Sequence, residues 1–104
     1  MDSNQPLSEQ FRLAAEDWRD KEAAAKLLES TREAWRARKM QIITGSVAAA
    51  KRDVEASDWY MKYVEEMLKA RGEADKAWVG VQFIQMQFQE WQSAEANRRA
   101  EMRL

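Results

Sequence analysis

Apolar residues in the C-terminal half of the chain return every three or four positions: Ala56, Tyr60, Tyr63, Met67, Ala70, Ala74, Ala77, Val81, Ile84, Phe88 and Trp91. That spacing holds side chains on one side of an α-helix, and such a seam lets one long helix lie along another. A second seam precedes it: Leu7, Phe11, Ala14, Trp18, Lys21, Ala25, Leu28, Arg32, Trp35, Lys39 and Ile42. Three of its positions are basic, which weakens it, although Lys and Arg stems can cover apolar surface while their charged ends reach water.

Between the seams, Thr44-Gly45-Ser46 breaks the periodicity. Gly45 suits a helix C-terminus and Ser46 suits the cap of whatever follows. A short helix is expected over 47–55, and Ser57 caps the last helix; one continuous helix from Ser46 is the alternative. Ser8 is the expected N-cap of the first helix, with Glu9 in its first turn where the helix dipole favours a carboxylate.

The reading is therefore all-α: a polar tail over 1–7 and a single helical domain over 8–104. Its helices run over about 8–41, 47–55 and 58–102. Two long helices joined by a short connection pack antiparallel, giving a coiled-coil-like hairpin. Residues 78–92 also show partial alternation, with Val79, Val81 and Phe83 followed by Gln85, Gln87 and Gln89. The three-four spacing crosses them without a slip, so the expectation stays helical. Gly72 and Gly80 fall inside the last helix with no capping role, and either one admits close packing or marks a bend. The small residues Ala70, Ala74 and Ala77 mark the expected point of closest approach.

Apolar residues also lie off the second seam: Trp59, Val64, Leu68, Trp78, Val79, Phe83 and Met86. A helix apolar on more than one stripe has more than one neighbour. The expectation is a homodimer forming a four-helix bundle, or a larger assembly, against the alternative of a monomeric three-helix bundle. Residues 77–97 carry two charges, Glu90 and Glu95, and five glutamines, a composition that fits an interface better than a free surface. Trp59, Trp78 and Phe83 are the candidate partner surface, since tryptophan is enriched where binding energy concentrates.

Composition narrows the functions. The 104 residues include 3 Gly and 1 Pro, so few breakers interrupt long helices. Hydrophobic residues make up 45%, so the chain is not of disordered type. No cysteine or histidine is present, which removes the usual nucleophile, general base and soft metal ligands. Carboxylates at helical spacing, Glu16 with Asp20 and Glu29 with Glu33, sit among Lys and Arg and read as solvated faces. No catalytic residue, metal site or cofactor is expected. No apolar run is long enough to span a membrane and no secretory leader is visible, so a cytoplasmic location is the expectation.

The net charge of −1 favours no nucleic-acid partner in bulk. Locally, residues 34–52 contain no acid while Arg36, Arg38, Lys39, Lys51 and Arg52 flank the connection. These five are the candidate nucleic-acid contacts, with Trp35 and Trp59 near enough to stack on bases. The competing reading is helix-end charges complementing the dipole beside core tryptophans. At the opposite end of the hairpin, Arg98, Arg99 and Arg103 are expected beside Glu16, Asp17, Asp20 and Glu22.

Trp78-Val79-Gly80 spells the tripeptide of the WXG family of secreted helical hairpins, but it lies mid-helix here and not in the turn. The segments Lys21-Glu22-Ala23-Ala24-Ala25-Lys26-Leu27-Leu28-Glu29, Ala56-Ser57-Asp58-Trp59, Lys69-Ala70-Arg71 and the run from Phe88 to Met102 resemble small all-helical proteins encoded by tailed phages and prophages. Those proteins are often encoded near recombination and replication genes. The resemblance implies a cytoplasmic phage protein acting with DNA-handling enzymes, with no motif residues to carry over. The expected function is a non-enzymatic, self-associating helical interaction protein. Its expected partner is a host or phage protein of DNA metabolism or of anti-phage defence, as a recombination accessory or a defence inhibitor. The alternative is a nucleic-acid-binding accessory protein that uses the basic connection.

Overall fold

A computed structural model describes residues 5–41 and 46–103. Three helices account for nearly all of them: α1 (Leu7–Met40), α2 (Val47–Glu55) and α3 (Asp58–Met102). The described residues contain no strand, and the partly alternating run over 78–92 is unbroken helix. Ile42 and the turn residues Thr44 and Gly45 fall outside the described residues.

The ends of the helices follow local chemistry, with two differences from expectation. The first helix starts at Leu7, one residue early, and Pro6 occupies the capping position with no side-chain cap. Its carbonyl accepts from the Glu9 and Gln10 amides, both at 3.0 Å. Ser8 is therefore inside the helix, because Pro6 lacks the N–H that a helix start leaves unpaired and has its φ already fixed. Ser46 caps α2 as expected, its Oγ accepting from the Ala49 amide at 3.1 Å. Ser57 occupies the capping position of α3, but its hydroxyl donates backwards to the Val54 carbonyl at 2.5 Å and leaves the α3 amides uncapped.

The long helices α1 and α3 pack antiparallel, and α2 folds over the connected end with Ala50 and Val54 buried. The molecule is a rod of 82 × 23 × 17 Å. Its radius of gyration is 22.9 Å, against about 13 Å for a compact domain of this length. A rod has little interior, and the buried residues form a single file: Ala14 and Ala25 from α1, then Tyr60, Met67, Ala74, Val81 and Ile84 from α3. Trp18 packs on the cluster of Ala14, Val81 and Ile84. Ala25 and Ala74 are both fully enclosed. The basic seam positions Lys21, Arg32 and Lys39 are half-buried, their stems covering apolar surface.

Candidate functional site

The register of the hairpin decides which apolar residues stay open. Trp18 meets Trp78 at 4.7 Å between ring centroids, and Trp35 stacks on Tyr63 at 4.6 Å. Tyr63 donates its hydroxyl proton to the Leu28 carbonyl at 2.5 Å and lies 2.9 Å from Thr31 Oγ1. Arg71 spans the helices: Nε and Nη2 donate to the two oxygens of Glu29 at 2.9 and 2.7 Å, and Nη1 donates to Glu22 at 2.6 Å. These bonds hold the Glu29 carboxyl below the usual carboxylate range and push the Arg71 guanidinium up. A bidentate fork needs both partners at fixed angles, so the clamp fixes register as well as attraction.

Followed along the rod, this register brings Leu7 and Phe11 of α1 against Ile84 and Phe88 of α3. The first helix begins there, so residues 93–102 of α3 run past it. Arg98 consequently pairs with Glu95 on its own helix at 2.7 Å, while Glu22 is held by Arg71 and Glu16 by Arg12 at 3.0 Å. The expected cluster of Arg98, Arg99 and Arg103 beside Glu16, Asp17, Asp20 and Glu22 does not form. The physical reason is unequal length: α3 has 45 residues and α1 has 34.

The expected seam divides accordingly. Tyr60, Met67, Ala74, Val81 and Ile84 are buried, and Tyr63, Ala70 and Ala77 are half-buried. Ala56 is exposed at the end of α2. Phe88 and Trp91 are 45% and 53% exposed, Phe88 beside the first turns of α1 and Trp91 near its start. Their rings stack on each other at 6.0 Å. Beside them lies a mostly apolar groove of about 510 Å³ walled by Leu7, Phe11, Ile84 and Phe88, with Gln85, Gln89 and Gln92 at its rim.

The candidate partner residues fare differently from one another. Trp59 packs edge-on against Trp35 at 5.0 Å, and Trp78 packs on Trp18. Both serve the hairpin first and keep 37% and 39% exposure. Phe83 is 59% exposed and touches none of this aromatic packing. It belongs to a second stripe on α3 with Met61, Leu68, Val79 and Met86, each more than half exposed. At 3.6 residues per turn this stripe lies about 140–200° around the helix from Val81, on the side away from α1.

The five candidate nucleic-acid contacts differ in what they touch. Arg36 is only 14% exposed and is tied to Glu33 and, at 2.8 Å, to Glu55 of α2. Lys39 lies over the rings of Trp35 and Trp59 at 5.9 and 5.6 Å. Arg38, Lys51 and Arg52 face solvent. The acid-free run of the sequence is thus partly neutralised by Glu33 and Glu55, which stand just outside it. Of the paired carboxylates, Glu16, Glu29 and Glu33 are engaged by arginines. No helix among the described residues is long and apolar enough to cross a membrane. No family model, curated protein or solved structure matches the chain.

Proposed function

We propose that this chain is a non-enzymatic helical interaction protein that assembles with itself and receives an apolar helix of a protein partner at the open end of the hairpin. One observation carries the reading: the α3 seam continues past the start of α1, leaving Phe88 and Trp91 uncovered beside the Leu7–Phe11 groove. A two-helix hairpin whose seam outruns its partner presents an incomplete bundle, and a third helix laid into it completes the knobs-into-holes layer. Apolar walls from Leu7, Phe11, Ile84 and Phe88 with glutamine amides beside them match the division of interfaces into an apolar centre and a polar edge. The likeness to small phage helical proteins directs the choice of partner to host or phage proteins of DNA metabolism or anti-phage defence, in the cytoplasm.

The test is photo-crosslinking in cells from a probe at Gln92, comparing the native chain with a Phe88→Glu/Trp91→Glu variant of unchanged helicity. A single dominant partner adduct that disappears in the variant supports the reading. An adduct pattern indifferent to the two substitutions overturns it. The nucleic-acid reading rests on the solvent-facing Arg38, Lys51 and Arg52, and predicts DNA or RNA binding that weakens steeply with salt.

A further inference from the structure

The α3 seam that continues past the start of α1 is also a track along which α1 fits in more than one place. In the observed register Leu7 and Phe11 stand against Phe88 and Ile84, Ala14 packs with Val81, and Trp35 stacks on Tyr60 at 6.2 Å. Seven residues make almost two helical turns, so moving α1 by one heptad returns each of its faces to within about 20° of its starting direction. Slide α1 by that step, about 10 Å, towards the C-terminus of α3. Phe11 then comes to Trp91, Ala14 to Phe88, Trp18 to Ile84 and Trp35 to Met67, and in each case a seam residue meets a seam residue. The 45 residues of α3 against the 34 of α1 leave room for the step. The six positions 41–46 between α1 and α2 can span on the order of 20 Å. Apolar cover is exchanged in the process: Phe88 and Trp91 gain it, while Trp59 and Tyr60 lose Trp35. The opposite slide has no such compensation, because it uncovers Ile84 as well.

Charge separates the two registers where periodicity does not. Glu22 and Glu29 are one heptad apart on one flank of α1, and Arg71 takes both, Glu22 at 2.6 Å and Glu29 at 2.7 and 2.9 Å. After the slide Glu29 stands where Glu22 stood, and Arg36 stands where Glu29 stood. Arg71 then has one carboxylate of α1 in place of two, and a second guanidinium beside it. Asp75, 3.5 Å from Arg71 on the same helix, travels with it and favours neither register. The slide also parts Arg36 from Glu55 and Trp18 from Trp78, which adds to the preference for the observed arrangement. A charged group at a helix seam is an attested means of specifying register, and turn-by-turn slides of one packed element past another are an attested form of switch.

We propose that the hairpin has a second register, one heptad along, in which α1 closes over Phe88 and Trp91, and that Arg71 is the residue holding α1 out of it. The inference deepens the function proposed above and rests on that reading for its consequence: the open register offers the groove to a partner, and the shifted register withdraws it.

The experiment reads register in the purified chain alone, so its outcome is independent of whether any partner binds the groove. Because the chain has no cysteine, two disulfide reporters can be built without background. Ala25→Cys with Ala70→Cys closes in the observed register, and Ala25→Cys with Ala77→Cys closes in the shifted one, since a disulfide does not bridge a misalignment of about 10 Å. Far-UV circular dichroism checks that each variant stays helical. The native chain gives the Ala70 product. Arg71→Glu faces two carboxylates in the observed register but one carboxylate and Arg36 in the shifted one, and it reverses the ratio of the two products. Glu22→Lys, which touches Arg71 only in the observed register, moves the ratio in the same direction. Adding Glu22→Arg to Arg71→Glu returns the Ala70 product. An Ala77 product that stays at its native level in the helical variants among Arg71→Glu and Glu22→Lys overturns the proposal, as does failure of Glu22→Arg to reverse the shift.

Discussion

Ile84 and Phe88 are neighbours on one seam, one helical turn apart, and the structure assigns them opposite energetic weights. Ile84 is 4% exposed within the Ala14–Val81–Trp18 cluster. Truncating it to alanine removes three carbons at about 0.8 kcal/mol each and leaves a cavity that the tight helix pair cannot close, for a total of about 3 kcal/mol. Phe88 is the larger side chain, but it is 45% exposed and borders an open groove. Water fills the space left by Phe88→Ala, no cavity forms, and about half of a full aromatic burial is lost, on the order of 1 kcal/mol. The assay is urea unfolding followed by far-UV circular dichroism, at a concentration where sedimentation shows a monomer. With a slope of about 2 kcal/mol/M, Ile84→Ala lowers the midpoint by about 1.5 M and Phe88→Ala by about 0.5 M. A Phe88→Ala shift equal to or larger than that of Ile84→Ala would refute the claim that the hairpin stops covering the seam at this point.

Four further outcomes follow from the contacts between the helices. Tyr63→Phe removes the hydroxyl that donates to the Leu28 carbonyl; it lowers stability by about 1 kcal/mol, read by the same unfolding assay. A double-mutant cycle on Trp18→Leu and Trp78→Leu gives a coupling of about 0.5–1.5 kcal/mol for the tilted ring pair, and a coupling near zero contradicts their contact. Glu29 has a folded pKa held below its unfolded value of 4.5 by the bonds from Arg71. Its contribution is therefore present above that value and is lost as pH falls through the folded pKa. The acid limb of thermal stability is accordingly steeper in the native chain than in Arg71→Met. Arg36→Ala lowers the thermal midpoint by more than Arg38→Ala does, since Arg36 alone of the pair joins α1 to α2 through Glu55; equal effects would return Arg36 to the list of free basic residues.

The fold was largely present in the sequence because it is a one-dimensional problem. Helical periodicity, a lack of breakers and local caps are properties of neighbouring residues, and they define three helices and the antiparallel seam without any distant contact. Ser46 as a cap and Lys39 as a half-buried seam residue were legible for the same reason. The errors at the N-terminus and at Ser57 come from hydroxyls that have two local choices. Pro6 takes over the capping place, and the Ser57 proton finds the carbonyl of the preceding helix. Arg71 as the clamp was missed, because its partners Glu22 and Glu29 lie more than forty positions away. An arginine next to the seam residue Ala70 was its only local signal.

What the sequence alone determined is which residues share a side of each helix. Periodicity fixes that through 3.6 residues per turn. Only the tertiary structure decided how far one helix slides along the other, because register is set by side chains meeting across the gap: Trp18 on Trp78, Tyr63 under Leu28, Arg71 between Glu22 and Glu29. That slide converts Phe88 and Trp91 from seam into open surface. It also draws Trp59 and Trp78 into aromatic pairs within the hairpin. The far face of α3 is left with the apolar residues that α1 never reaches.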